Sequence, residues 1–548
     1  MLIDGRQLTA GSVLESTVCV VGSGPAGATV AAELAARGVH TIVVEGGGLR
    51  SSQVHTDAYS GVVAAGTHDP LEATRQKRLG GTSAKWGGRC APLDAADFRE
   101  RAWIPGSGWP IAAEDLCDFY PRAQRHLEAG AYEYSATRSG FPTTGEISTG
   151  SAVLDCDRTW RWSPPTKFAP RVRGLAKSGK IQLLTEATIV RLDRDPVNGR
   201  VTRAVAVPRH GTEIEVRART YVLAAGGLES TRILLASDGQ SPAGIGNEYD
   251  QVGRHYMTHP VGEVGRIALS EAGRNMAFGY VKTSDGVYAR RMMSLTPEVQ
   301  QQHRLGNLKA ALWFPDPMAA AHRDGLLSTF ALVYWAMGRA KVGFKSAGTH
   351  AAYTATTGIG QHARNVVRDW RRVSRFAASW AAPRMTGRRV LPSFMPLDGA
   401  GCRLRFDAEQ SPDSANRVTL DRARDALGQR RLRVEYRVSS EDRIRIRTSM
   451  SLIGEEFARL GLGKVAMDDL ARVDDMLFTD GTHQMGLLRM SDSPRTGVVD
   501  TQCRVHHCDN LYVASSAVFP TAGAVGPTLT IVALACRIAD RVAQLASR

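Results

Sequence analysis

A chain of 548 residues is too long for one simple hydrophobic core and implies two or more domains, or one domain with large insertions. Its 43% hydrophobic and 22% charged residues are those of a globular protein. No run approaches the ~18 consecutive apolar residues of a membrane span, and the start "MLIDGRQLTAGSVLE" lacks the apolar stretch of a signal peptide, so a cytoplasmic protein is expected. The formal charge of +15 points to acidic partners or a phosphorylated cofactor. Its arginines are spread along the chain with no aromatic-basic module, which argues against nucleic acid. None of the eight cysteines forms a C-x-x-C pair. "CRVHHC" (Cys503, His506, His507, Cys508) would crowd its ligands on one turn, so no metal site is expected.

In chain order, "TVCVVGSG" (17–24) opens as a β-branched apolar run, the pattern of a buried parallel strand. It leads into Gly22, Gly24, Ala26 and Gly27, a G-x-G-x-x-G followed by an alanine-rich helix that Gly38 ends. A second apolar strand, "HTIVVEGG", closes on Glu45. Strand, glycines, helix, strand and terminal acid together form a dinucleotide-binding unit. Gly22 permits the tight turn, Gly24 lets backbone approach a pyrophosphate, and Gly27 lets the helix pack on the strand. The helix N-terminus offers N–H groups to phosphate, and Glu45 accepts from ribose hydroxyls.

Next comes "RLGGTSAKWGG" (78–88), with Gly80, Gly81, Thr82, Ser83, Trp86 and Gly87, a backbone-rich loop suited to close approach to a flat or charged ligand. "RTYVLAAGGLESTRILLAS" (219–237) reads as an apolar strand, a small-residue turn at Ala225 and Gly226, and a helix start. In 362–380, Val366, Trp370, Val373, Phe376 and Trp380 recur at spacings of three and four, which predicts one basic amphipathic helix packed on the protein or lying on an anionic membrane. Alternation in 431–438 predicts a half-buried strand. Near the C-terminus, "GTHQMGLLRM" places His483 before a glycine turn, where a lone histidine is either a catalytic base or a polar residue at a domain edge.

These segments, together with "GRHYMTHP" (253–260), "EQSPDSANRVTL" (409–420) and "RVHHCDNLYVASSAVFPTAGAVGPTLTIVALACRIAD", resemble the glucose–methanol–choline (GMC) oxidoreductases in family order; roughly 265–400 has no match. Residues 97–124 resemble members acting on sugars and related polyols. The resemblance implies an α/β fold: a Rossmann-like FAD-binding domain assembled from separated segments (1–125, 175–262 and 472–548) and an α+β substrate domain with an antiparallel sheet (126–174 and 263–471). It implies oxidation of a CH–OH group on a sugar, glycoside or bulky secondary metabolite, with hydride passing to flavin N5 and His483 as the acid/base. Gly22, Gly24, Ala26, Gly27, Glu45, Gly80, Gly81, Thr82, Ser83, Trp86, Gly87, Ala225, Gly226, Ser515, Gly526, Pro527 and Thr528 would hold FAD.

Three positions depart from the family. Gly526 stands where many members carry His or Asn, Ser515 where an Asp is common, and Lys85 where some sugar-oxidising relatives attach FAD through a histidine. Non-covalent FAD is therefore expected. The alternatives are a flavoprotein with altered or non-oxidative chemistry, because Gly526 supplies no second side chain, and a membrane-surface dehydrogenase. The electron acceptor (oxygen, quinone or protein) and the oligomeric state are left open.

Overall fold

The strand that leads into the fingerprint, Val13–Val21, starts at the surface and ends with Val18–Val21 in the core. The chain turns at Gly22, whose φ of 101° is glycine territory, and enters the helix Pro25–Ala36 with proline in its first turn. A Cβ on Gly27 would stand 2.0 Å from the Gly22 carbonyl oxygen, so only glycine lets this helix pack against the turn. The strand Thr41–Val44, buried throughout, returns parallel to the first. The computed structural model describes residues 1–65, 68–142, 151–208, 211, 213–239, 242–339, 358–385, 401–479 and 481–547. Parts of the unmatched stretch, 340–357 and 386–400, lie outside them.

Around this unit an eight-stranded sheet runs Leu2–Asp4, Gln182–Thr185, Thr41–Val44, Val13–Val21, Ile214–Leu223, Val201–Pro208, Ala187–Arg194, and Leu511–Val513 also pairs with Ile214–Leu223. The strands from Leu2–Asp4 to Ile214–Leu223 are parallel, and the hairpin at 187–208 is antiparallel. Ile214–Leu223 uses one edge twice: its start pairs with the hairpin, and its buried end (Tyr221–Leu223) pairs in parallel with Leu511–Val513. This second use draws the C-terminal segment, and the helix Thr528–Ala546 behind it, onto the dinucleotide unit.

A second, antiparallel sheet runs Leu308–Trp313, Cys402–Ala408, Pro260–Leu269, Gly463–Ala466, and Phe478–Thr479 pairs with the start of Pro260–Leu269. The helix Ser440–Arg459 packs Ile446, Met450, Ile453 and Phe457 into the core beneath it. A third, four-stranded antiparallel sheet takes Tyr280–Lys282, Tyr288–Arg291, Thr159–Trp162 and Arg89–Cys90 from three distant parts of the chain. The fold is thus mixed α/β with antiparallel sheets beside the dinucleotide-binding one. The alternating segment near 431 forms the strand Arg430–Glu435, with Leu432 and Val434 inward.

The single helix expected over 362–380 is two helices, Ile359–Arg368 and Trp370–Met385. Asp369 breaks it because its carboxylate accepts from the Gly325 N–H (2.8 Å), capping the helix Gly325–Arg339. The buried side of the first helix is His362 and Asn365, both bonded to Ser328, while Trp370 and Trp380 of the expected apolar face are exposed. Among the described residues no helix is long and apolar enough to cross a membrane.

Gly27→Ala should be destabilising by about 1–3 kcal/mol, the range for forcing a methyl into a packed contact. Chemical denaturation of the flavin-loaded protein measures it, and an unchanged midpoint would show that the helix can shift at no cost.

Candidate active site

One cavity of about 510 Å³ extends between the three sheets, from the Gly22 turn to Trp313. Its lining includes seventeen of the residues singled out in the sequence: Gly22, Gly24, Ala26, Glu45, Gly81, Thr82, Ser83, Lys85, Trp86, Gly87, Ala225, Gly226, His483, Ser515, Gly526, Pro527 and Thr528. Gly27 and Gly80 are not in the lining; they hold the wall from behind.

At the dinucleotide end, the buried Glu45 is fixed from both oxygens. Its Oε2 accepts from the Ser23 N–H (3.1 Å) and hydroxyl (2.6 Å), and its Oε1 accepts from the Gly47 N–H (2.9 Å). Burial pushes the Glu45 carboxyl up, and these hydrogen bonds together with Lys77 oppose the rise. Ser23 Oγ in turn accepts from the Gly80 N–H at 2.9 Å, which stitches the loop 78–88 to the fingerprint. A Cβ on Gly81 would stand 3.2 Å from Gly24 Cα, so the two glycine segments touch backbone to backbone. Buried charges that sequence reading missed complete this end. Arg75 pairs with Glu229 (2.7 Å) and lies over the Tyr59 ring, and Lys77, pushed down by burial, sits beside them.

The residues fit an FAD. A Cβ on Gly22 or Gly27 would clash with backbone, whereas one on Gly24 would meet only open space in the cavity, and the first turn of Pro25–Ala36 brings N–H groups to that space. The buried carboxylate of Glu45 stands at the end of the second strand, with one lone-pair position, on Oε1, beyond its three internal donors. The helix Thr528–Ala546 brings a second positive dipole end to the cavity through Pro527 and Thr528. Ser515 is buried, and its Oγ accepts from the Ala517 N–H.

At the other end stand two imidazoles. His483 Nδ1 lies 2.8 Å from Nδ1 of His259, a fully buried residue of the "GRHYMTHP" segment. Backbone hydrogen bonds between Met257 and Met485 (3.0 Å each way) clamp the two strands two residues away, which sets the rings opposite one another. His259 Nε2 lies 3.3 Å from the Ala522 carbonyl oxygen. A carbonyl only accepts, so Nε2 of His259 carries the proton. Full burial favours the neutral ring; its Nδ1 is then an acceptor, His483 Nδ1 donates to it, and His483 Nε2 is the nitrogen that carries no proton. A Cβ on Gly526 would lie 3.8 Å from that Nε2, ordinary contact distance, so a side chain at 526 would occupy the space in front of the nitrogen. Asp407, also on the wall, is held by Arg89 Nη1 (2.7 Å) and Nη2 (3.1 Å), and the two arginines Arg89 and Arg405 keep its carboxyl low against burial.

His259 was quoted in the sequence without a role because its partner lies 224 residues away. Cys503 and Cys508 are buried; among the described residues the one group with metal-ligand spacing is Glu33, His126 and Cys536, where Arg37 and Arg122 already pair with Glu33.

Comparison with known proteins agrees with this arrangement. Residues 17–320 match the model of the FAD dependent oxidoreductase family and residues 412–535 that of GMC oxidoreductase. The chain is 25% identical to the fructose dehydrogenase large subunit of Gluconobacter japonicus over 66% of its own length and 54% of that protein's. It is 23% identical to the 2-methyl-1,2-propanediol dehydrogenase of Mycolicibacterium austroafricanum over 97% of this chain and 95% of the relative. The crystal structure of pyridoxine 4-oxidase from Mesorbium loti superposes with a TM-score of 0.51 at 18% identity, covering 96% of this chain and 99% of that one.

Glu45→Ala should lower FAD affinity by roughly tenfold to a hundredfold, the equivalent of about 1.5–3 kcal/mol for hydrogen bonds to a charged group, with the fold intact. Titration of the flavin-stripped protein with FAD measures it, and unchanged affinity would remove Glu45 from the cofactor site.

Proposed function

We infer what this chain does from one premise: it belongs to the GMC family of FAD-dependent oxidoreductases. Its activity is FAD-dependent oxidoreduction of the alcohol or sugar type. In finer terms, we propose that it oxidises a CH–OH group of a sugar, glycoside or other bulky metabolite to the carbonyl. The observation that carries this reading is the contact of His483 Nδ1 with His259 Nδ1 at 2.8 Å, which leaves His483 Nε2 on the side of the cavity where Gly526 has no side chain.

Oxidation of an alcohol removes a proton from O–H and a hydride from C–H. Bound FAD supplies the acceptor for the hydride. The proton falls to His483: a hydroxyl in front of Gly526 meets Nε2 as a hydrogen-bond acceptor, and the proton moves there as the C–H bond breaks. His259 is a positioning residue. It holds the His483 ring from behind and fixes its tautomer, so no second side chain is needed at 526. This is what favours oxidation over the reading in which Gly526 signals altered chemistry. The cofactor is held without a covalent bond, since the loop 78–88 offers Lys85 in place of an attachment histidine; acid denaturation should release the flavin, and flavin left on the polypeptide would refute this.

His483→Ala should keep FAD and fold yet slow flavin reduction by substrate by about 10²–10⁴. It should also remove the acid limb of the pH profile, which arises because a protonated imidazole cannot accept. His259→Leu, which leaves His483 Nδ1–H with no acceptor, should slow reduction and alter the pH profile, and His259→Asn, whose amide oxygen can accept, should recover part of the rate. Stopped-flow reduction checks all three. A His483→Ala rate within about threefold of wild type, far from the 10² expected, would assign the base to another residue. A pH profile unaltered in His259→Leu would leave His259 a purely structural role.

A further inference from the structure

Beyond His483, the cavity is walled by the faces of two sheets. In the four-stranded sheet, Arg290 stands directly opposite Tyr280 on one side and Trp160 on the other, and Arg89 stands opposite Trp162. Opposed residues of antiparallel strands share a face, and all five line the cavity. In the facing sheet, Ala311 stands opposite Arg405, and Trp313 and Asp407, two residues on from each, share their side. The guanidinium of Arg290 bridges the walls, 5.2 Å from the Tyr280 ring centroid and 5.0 Å from that of Trp313.

The charges of this chamber do not cancel. Arg89 pairs with Asp407 at 2.7 Å and Arg405 with Glu263 at 3.6 Å. Arg290 is 3% exposed, and its Nε donates to the Phe278 carbonyl oxygen at 3.3 Å. Among the described residues no carboxylate stands within ion-pair distance of it. Burial pushes its pKa down; the Tyr280 side chain, to which it is hydrogen-bonded, opposes the fall, and Arg405 and Arg89 add to it. Beside it, the indole N–H of Trp160, itself 3% exposed, has no acceptor among the described residues. A buried donor left unmade costs about 1–3 kcal/mol. On one wall, then, stand an indole N–H with no acceptor and, beside it, a guanidinium bonded only to neutral groups, the Phe278 carbonyl and the Tyr280 side chain; the acceptor oxygens of an anion would serve both.

We propose that the alcohol oxidised here carries an oxyanion, the carboxylate of a sugar acid or the phosphate of a sugar ester, bound by Arg290 and the Trp160 N–H, while Trp162 and Trp313 cover the C–H face of its ring. The inference rests on reading the cavity as the alcohol-oxidising site. It explains the pairing of indoles with arginines: the aromatic faces take the apolar side of the substrate, and the guanidinium forks take a planar or tetrahedral oxyanion. A neutral polyol would offer the guanidinium no countercharge.

The test uses the FAD-loaded protein and follows the flavin spectrum during titration, so binding is read apart from turnover. The probes are glucuronate, its neutral amide glucuronamide, and glucose 6-phosphate against methyl glucoside. At least one anion should bind tenfold or more tightly than its neutral counterpart, the order a charge-assisted hydrogen bond supports, and the tighter of the two identifies the oxyanion. Arg290→Gln should erase the preference, with Arg290→Lys retaining part of it. Trp160→Phe, which keeps the ring and removes only the N–H, should weaken the anion several-fold and the neutral probe not at all. Equal affinities for anion and neutral probe, or a preference intact in both Arg290→Gln and Trp160→Phe, would overturn the proposal. An anion that binds tightly and never reduces the flavin, with neutral alcohols equally inert, would overturn the alcohol-oxidising function instead.

Discussion

Two imidazoles held Nδ1 to Nδ1 at 2.8 Å are the contact on which the functional account depends. One ring closes the segment that enters the antiparallel substrate-side sheet, and the other precedes the C-terminal segment that returns to the dinucleotide sheet. Their hydrogen bond is therefore also a joint between the two halves of the molecule. On the proposed reading it places an acceptor nitrogen at a fixed point inside the cavity. A histidine free to choose its tautomer would present that nitrogen only part of the time, and a fully buried partner anchored on a backbone carbonyl removes the choice.

The same logic of distant segments meeting at one atom runs through the cofactor end. Ser23 Oγ donates to Glu45 and accepts from Gly80, so one hydroxyl ties the fingerprint, the acid that ends the second strand, and the loop 78–88. Ile214–Leu223 performs the corresponding task for the sheet, carrying the hairpin on its first half and the C-terminal strand on its second. The end of the cavity beyond His483 is built by register. Three short strands from separate parts of the chain align Arg89, Trp160, Trp162 and Arg290 on one face because antiparallel pairing leaves no other arrangement.

What could be read from sequence follows from how local each feature is. The fingerprint glycines and Glu45 lie within one strand–helix–strand unit, and their spacing alone carries the geometry. His483 was visible through its place in an ordered set of motifs. His259 lay in plain view in "GRHYMTHP", yet nothing local reveals that its partner is 224 residues on. Trp160 and Arg290 were beyond reach for the same reason: two residues in unrelated segments become neighbours only when the strands pair. The helix over 362–380 failed differently. Its periodicity continues across Asp369, but that carboxylate caps another helix, a tertiary demand that the pattern does not encode.

The central claim is that His483 presents an unprotonated Nε2 to the cavity because its Nδ1 keeps the proton and donates it in a hydrogen bond to His259 Nδ1. Nitrogen-15 spectra of ring-labelled histidine in the FAD-loaded protein, with His483 assigned by loss of its signals in His483→Ala, read this directly. The account predicts a protonated Nδ1 and an unprotonated Nε2 on His483 at neutral pH, with the Nδ1 signal shifting in His259→Asn. A His483 ring protonated at Nε2, or exchanging between tautomers with His259 in place, would contradict it.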